Sequence, residues 1–285
     1  MAELISATGT LSKMIWQANV GASDAPGAVE PRLPVGETLV PLKAGLGARL
    51  SVRFLGEIHC QHCGRKTRKS YSQGYCYPCF KKLARCDLCI VSPTRCHFAE
   101  GTCREPEWAQ GFCFAPHSVY LANSSGLKVG ITGKDRETSR WLDQGARQAL
   151  VFAHCESRQL AGEIEARLSE SLSDRTDWRR LVTGDTPLID LEAARERARV
   201  ELGALPAGAT LAPAAPAEFL YPVARYGPAR SISLDKSPEF ASELWGIKGQ
   251  YLLCADGALN VRKHTGYRVE LSLRSEPGGA QLEIF

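Results

Sequence analysis

The chain is 285 residues long, enough for two or three compact units, each with its own core. With 44% hydrophobic and 23% charged residues and a mean hydropathy of −0.19, its composition excludes global disorder. The net charge of +4 is too small to argue a nucleic-acid partner on its own.

No apolar run approaches the roughly 20 residues that span a bilayer. The opening Met1-Ala2-Glu3-Leu4-Ile5-Ser6 has neither the basic nor the apolar stretch of a secretory leader. The expectation is a soluble, cytoplasmic protein with no membrane partner. Cysteine usage sharpens it, because nine of the eleven cysteines fall between Cys60 and Cys113. Thiols stay reduced in the cytosol, so such a cluster points to metal rather than disulfides. Cys155 and Cys254 lie in apolar surroundings and read as buried free thiols.

In chain order, residues 1–56 read as a β-rich N-terminal segment. Runs such as Lys13-Met14-Ile15-Trp16 and Leu50-Ser51-Val52-Arg53-Phe54-Leu55 are separated by Gly/Pro/Asp stretches, the largest at 21–36. Residues 57–117 form a cysteine-rich module that begins with Cys60-x2-Cys63-x12-Cys76-x2-Cys79. A tetrahedral Zn²⁺ takes four thiolate or imidazole ligands, and each C-x2-C turn presents two sulfurs to one ion. Gly64, Gly74 and Pro78 supply the turn chemistry, and the spacing is close to that of a zinc ribbon or treble clef. His59 and His62 flank the first pair and read as surface residues.

A second group follows: Cys86-x2-Cys89-x6-Cys96-His97-x5-Cys103-x9-Cys113-x3-His117. The expected ligands of a second metal are Cys86, Cys89 and two of Cys96, His97, Cys103 and Cys113. An interleaved ligand set remains open, and an iron–sulfur cluster is the rival for this half. Between residues 60 and 113 nine Lys/Arg stand against four acids, a surplus of +5. That surplus reads either as a phosphate-binding patch with Tyr71, Tyr75, Tyr77 and Phe80 available for stacking, or as compensation for anionic zinc–thiolate centres.

Residues 118–202 change character. Val119-Tyr120-Leu121, a turn at Asn123-Ser124-Ser125-Gly126, and Leu127-Lys128-Val129-Gly130-Ile131 have the form of a β-hairpin. The four-residue spacing of Leu160, Ile164, Leu168 and Leu172 predicts a helix over 160–172. A second helix is expected over 191–202, its alternating Glu and Arg forming a solvated face. An Ala/Pro linker, 203–217, carries three prolines and precedes a β-rich C-terminal segment, 218–285. There Phe219-Leu220-Tyr221-Pro222-Val223, Gln250-Tyr251-Leu252-Leu253-Cys254 and Tyr267-Arg268-Val269-Glu270-Leu271 read as strands, with a hairpin turn at Asp256-Gly257. Asp174 is the expected cap of a short helix, and 248–250 and 260–267 read as surface loops.

The succession Ser118-Val119-Tyr120-Leu121, Lys128-Val129-Gly130-Ile131-Thr132, Arg140-Trp141 and Glu163-x-Glu165 resembles the GIY-YIG nuclease superfamily over about 60 residues of the chain. The chain also looks like an uncharacterised bacterial family, a domain of unknown function, in which zinc modules precede such a domain. The resemblance implies that Tyr120 orients or deprotonates an attacking water and that Arg140 neutralises the scissile phosphate. Glu165 or Glu163 would hold one Mg²⁺. The second tyrosine of that family is replaced by Lys128, which implies either a desolvated base or a group that binds phosphate without cleaving it. Blander roles stand beside each: Tyr120 as a core tyrosine, Arg140 stacked on Trp141, Glu163 and Glu165 as solvated helix charges.

The expected fold class is therefore α+β: a zinc-ribbon or treble-clef-like module followed by a small GIY-YIG-like α/β domain, flanked by N- and C-terminal β-rich segments. The expected function is nucleic-acid binding, DNA or RNA, with structural Zn²⁺ in one or two sites and Mg²⁺-dependent endonuclease chemistry if the site is catalytic. The alternatives are a non-catalytic nucleic-acid adaptor and a zinc-stabilised scaffold for a protein partner.

Overall fold

The computed structural model describes residues 4–18, 26–172, 175–184 and 186–274. The first strands are β1 (Leu4–Thr10), β2 (Ile15–Ala18), β3 (Gly27–Val35), β4 (Thr38–Pro41) and β5 (Arg49–His59). The cysteine module adds β6 (Lys66–Thr67) and the short helices α1 (Tyr77–Lys82), α2 (Leu88–Val91) and α3 (Pro106–Phe112). Then come β7 (His117–Asn123), β8 (Leu127–Gly133), α4 (Glu137–Asp143), β9 (Gln148–Cys155) and α5 (Arg158–Leu168). They are followed by α6 (Trp178–Thr183), α7 (Leu191–Leu202), β10 (Ala209–Leu211) and β11 (Ala217–Leu220). The described chain ends with β12 (Ser231–Ile232), β13 (Glu239–Lys248), β14 (Tyr251–Cys254), β15 (Gly257–Asn260) and β16 (Tyr267–Arg274).

These strands form two curled sheets. One runs β1-β16-β5-β13-β14-β15-β12, with β6 on β5; the other runs β2-β3-β11-β9-β7-β8, with β10 on β9 and β4 on β3. In β16, Tyr267, Val269, Leu271 and Leu273 alternate inward, where Leu50 and Val52 of β5 meet them across the ladder. Each such side chain, fully buried, contributes about 1.5–3 kcal/mol. In the second sheet β7 lies between β8 and β9 and is buried on both faces. Val119 and Leu121 pack with Phe152, Ile164 of α5 and Leu191 of α7, while Tyr120 and Ala122 face Trp141 and Leu142 of α4 and Phe219 of β11.

The expected α+β arrangement, with a small GIY-YIG-like α/β domain between β-rich flanks, is overturned. Strand outweighs helix, 37% against 25%. The N-terminal strands also divide between the sheets: β1 and β5 pair with the C-terminal β16 and β13, whereas β2–β4 join the sheet that holds β7, β8 and β9. The physical reason lies in the edges, since the β7–β8–β9 ladder is extended by β11 and β3 and so does not close as a separate layer.

Local expectations fared unevenly. The 117–133 hairpin and the 191–202 helix are present. That helix, however, buries Leu191, Ala194, Ala198 and Leu202, leaving its charges to pair as Glu192–Arg195 and Glu196–Arg199. Part of the 21–36 stretch read as a separator is the nine-residue β3, whose Val29, Leu33 and Val35 point inward around two prolines. Residues 248–250 and 260–267 are not surface loops: Lys248, Gln250, His264 and Tyr267 are buried. Gln250 clamps the two sheets, accepting from Met14 N at 2.8 Å and donating to Asp143 Oδ1 at 2.8 Å. Asp174 lies outside the described residues; the cap of α6 is Asp177, which accepts from Arg179 N and Arg180 N. Cys155 and Cys254 are buried free thiols, pushed up to about 11 and about 12 by burial.

Candidate functional site

β5 ends at His59, and the chain turns at once: Gly64 N donates to Cys60 O at 2.9 Å and Cys60 N to Arg65 O at 3.0 Å. Gly64, at φ +70°, makes this turn without side-chain strain. Cys76 caps the N-terminus of α1, with Pro78 in its first turn, so Cys79 projects back toward the Cys60 turn. The Sγ atoms of Cys60, Cys63, Cys76 and Cys79 all lie within 4.8 Å of one another, and Cys63 and Cys76 are 3.8 Å apart. Four Zn–S bonds of about 2.3 Å in a tetrahedron place sulfurs about 3.8 Å apart. The set therefore fits one ion, and it can hold a structural Zn²⁺.

The four thiols are not held alike, since burial and the surrounding sulfurs push Cys79 up. Burial alone raises the Cys60 thiol, but backbone donors at Cys63, Cys76 and His62 bring it down to about 6. Arg65 sits beside Cys63, its guanidinium favoured by the sulfurs of Cys63, Cys76 and Cys79. His59 is not a ligand; its Nδ1 faces Gly64 O at 3.1 Å and its Nε2 faces Glu57 at 3.2 Å.

The second group is arranged differently from the expected set. Cys86 is buried, and burial raises its thiol against the pull of Arg104 and Arg85. Asp87 and His97 approach Cys89, but Asp87 is held by Arg104 at 2.6 Å and His97 by Thr102 at 2.7 Å. Asp87 thus pairs with both Arg104 and His97, the latter at 3.6 Å. Cys89, Cys96, His97, Cys103 and Cys113 line one cavity, with Ile90, Phe98 and Trp108.

The residues named from the nuclease resemblance come together only in part. Tyr120 is fully buried; its hydroxyl donates to Gln144 Oε1 at 2.8 Å and lies against the Arg140 guanidinium. Burial pushes the phenol up against the opposing pull of Arg140 and Gln144, so it stays protonated at neutral pH. Glu165 is within electrostatic reach of Tyr120, whereas Glu163 is exposed on another side of α5. Lys128 is buried two residues along β8 from Gly130, with its Nζ 3.5 Å from Thr176 Oγ1.

Sequence reasoning missed a row of arginines around Arg140. Arg158, at the start of α5, and Arg262, in the turn before β16, are each lowered by burial and by the like charge of Arg140. Arg262 is also within electrostatic reach of Asp143 and Tyr75, and Arg158 of Cys113 and Glu165. The Nε atoms of Arg140 and Arg158 are buried without a hydrogen-bond partner among the described residues. Only tertiary pairing brings residues 140, 158 and 262 together, so no local motif signals them. Within the cysteine module, Tyr71 stacks on Phe80 at 5.6 Å and packs on the exposed Tyr77 at 5.4 Å, with Lys69 over its ring.

Fold and site together define a β-rich protein with a four-cysteine cluster that can hold one structural metal ion. Residues 47–269 match a family described as protein of unknown function (DUF2797), and the chain belongs to that family. No curated protein and no solved structure matches the chain. No described helix is long and apolar enough to cross a membrane.

Proposed function

We propose that this protein is a zinc-stabilised nucleic-acid-binding protein that grips the phosphodiester backbone along the Arg158–Arg140–Arg262 seam and does not cut it. The observation that carries the reading is that Arg158 and Arg262, both half-buried, each lie within electrostatic reach of Arg140, and that the Nε atoms of Arg140 and Arg158 are buried without a hydrogen-bond partner among the described residues. Like charges held together in a low-dielectric seam are relieved by an anion, and a guanidinium fork matches phosphate oxygens in pairs. The Tyr71–Phe80–Tyr77 cluster on the cysteine module offers π-faces to unpaired bases.

Binding without cleavage is favoured by the state of Tyr120. A buried, protonated phenol already donating to Gln144 has no path to an attacking water. Lys128, Arg140 and Glu165 remain as groups that bind or position, and Mg²⁺ is not required by this reading.

The test is binding of labelled single- and double-stranded DNA and RNA across a salt series. Affinity is expected to fall steeply with salt, because each neutralised phosphate releases counterions. Arg140→Ala and Arg262→Ala should each weaken binding by roughly tenfold and flatten the salt slope by about one. Salt-independent binding, or variants that bind like wild type, would remove the proposal. Mg²⁺-dependent product from wild type that disappears in Glu165→Gln would restore the nuclease reading instead.

A further inference from the structure

Several metal-binding side chains meet in one small space beyond the Cys60 set. Cys89, Cys96, His97, Cys103 and Cys113 line a single cavity of about 20 Å³, which has room for one ion or one water. Cys113 lies within electrostatic reach of Cys89, Cys96 and Cys103, and Cys89 within reach of Cys96 and Cys103. A neighbouring cavity of about 20 Å³ is lined by Cys89, Cys96, Cys113 and Arg158.

Four thiols around a space for one ion are the donor set of a tetrahedral Zn²⁺. We propose that Cys89, Cys96, Cys103 and Cys113 bind a second Zn²⁺, separate from the one that the Cys60 set can hold. Among the described residues only Cys60, Cys63, Cys76 and Cys79 form a four-cysteine set closed to within 4.8 Å. The second set rings its cavity more widely, and Zn–S bonds of about 2.3 Å draw it inward. His97 and Asp87 approach Cys89 but are otherwise engaged. His97 Nδ1 is 2.7 Å from Thr102 Oγ1, and Asp87 is held by Arg104 at 2.6 Å and by Leu88 N at 2.5 Å. Cys86, which the C-x2-C spacing pairs with Cys89, does not line the cavity.

The surroundings suit such an ion. Ile90, Phe98, Trp108 and Ala109 wall the cavity with apolar side chains that keep water from the sulfurs. Arg158 stands beside Cys113, its side chain donating to Ile90 O at 2.5 Å and lying over the Phe112 ring. Its charge offsets part of the negative charge that four thiolates leave on Zn²⁺. The site also lies where the cysteine module docks on α5: Arg158 N donates to Cys113 O at 2.7 Å, and Pro93, between Cys89 and Cys96, packs on Gly162. An ion there ties the Cys89–Cys96 turn, the Cys103 loop and the end of α3 together at that joint. This inference is independent of the nucleic-acid reading.

The experiment is elemental analysis of the full chain, purified in the presence of a thiol reductant and without added metal. The expected content is about two zinc per chain in wild type and about one in Cys103→Ser and in Cys113→Ser. Cys63→Ser should also keep about one, because the two sites fill separately. Cys86→Ala and His97→Ala should both keep the wild-type count. About one zinc per wild-type chain, with none left in Cys63→Ser, would overturn the proposal, as would a wild-type count in Cys113→Ser. Zinc lost from His97→Ala but kept in Cys96→Ser would overturn the four-sulfur ligand set. Where a variant loses all its zinc it has unfolded, and a Co²⁺ titration of chelator-treated wild type decides. Thiolate-to-cobalt absorption that saturates at about two equivalents supports the second site, and saturation at about one removes it.

Discussion

Tyr120 and Gly130 fit each other at atomic scale. They are partners across the β7–β8 ladder, and a Cβ built on Gly130 would fall 2.5 Å from the Tyr120 hydroxyl. The ring therefore lies flat over β8 because residue 130 has no side chain, and its hydroxyl is delivered to Gln144. Gly130→Ala is expected to destabilise the protein by about 1–3 kcal/mol, since a fully buried ring has nowhere to retreat. Tyr120→Phe, which leaves Gln144 without its donor, should lose about 1 kcal/mol. Urea midpoints of the two variants measure both, and a wild-type midpoint for Gly130→Ala would refute the packing. His264 makes a second prediction. Its ring is fully buried, with Nδ1 on Asn260 O at 2.8 Å and Nε2 accepting from Leu234 N at 3.1 Å. Only the neutral tautomer makes both bonds, and burial lowers its titration accordingly. Because the folded value lies below the unfolded one, stability is full above about pH 6.5 and falls on acidification from there, by up to about 1.4 kcal/mol per pH unit for this one proton. Melting curves from pH 7.5 to 5 should show that slope, and His264→Gln should remove most of it.

At the scale of elements, helix α7 shows what holds a solvent-facing helix in place. Its start is fixed by Asp190, whose side chain accepts from Ala193 N at 2.9 Å, and its end by Gly203 in a positive-φ conformation. Asp190→Ala should cost about 1 kcal/mol in a denaturant titration, and Glu196→Ala much less, because the Glu196–Arg199 pair is exposed. This helix was read from its alternating Glu and Arg, without the buried Leu/Ala stripe that holds it, and the β7–β8 hairpin from two strand-like runs around the Asn-Ser-Ser-Gly turn. The β3 strand was hidden because Pro31 and Pro34 read as breakers; they are accommodated opposite Trp16 and Leu39. The ten-residue β13 was hidden for another reason. Its Glu, Ser and Trp positions break simple alternation, and a register shift between Leu244 and Gly246 lets it pair with β5 at one end and β14 at the other. For the site, the Cys60 set was readable because its ligands are local pairs. Spacing alone does not choose among the ligands of the second group, and the arginines at 140, 158 and 262 are brought together by elements far apart in sequence.

For the whole molecule, the metal centre and the two sheets should respond differently to chelation. The sheets have their own apolar cores, one built on Leu50, Val52, Ile247, Leu252 and Val269, the other on Val119, Leu121, Phe152 and Ile164. The cysteine module has no comparable core: none of its helices α1 and α2 buries a residue, and α3 buries Ala109 alone. What docks it is a close contact of Pro93 on Gly162 of α5, where a Cβ would fall 2.4 Å from the proline ring, and the bond from Arg158 to Ile90 O. Ligand bonds at the Cys60, Cys63, Cys76 and Cys79 set would stand in for burial within residues 60–113, and their free energy would then be folding free energy of that region. Hydrogen exchange followed by mass spectrometry, with and without a strong chelator, should show amides of 60–113 losing protection while β5, β13 and β16 keep theirs. Protection that persists throughout 60–113 after the metal is gone would mean that the module folds on packing alone. Loss of protection in both sheets at once would mean that β5, which runs straight into Cys60, passes the disturbance on to the larger fold.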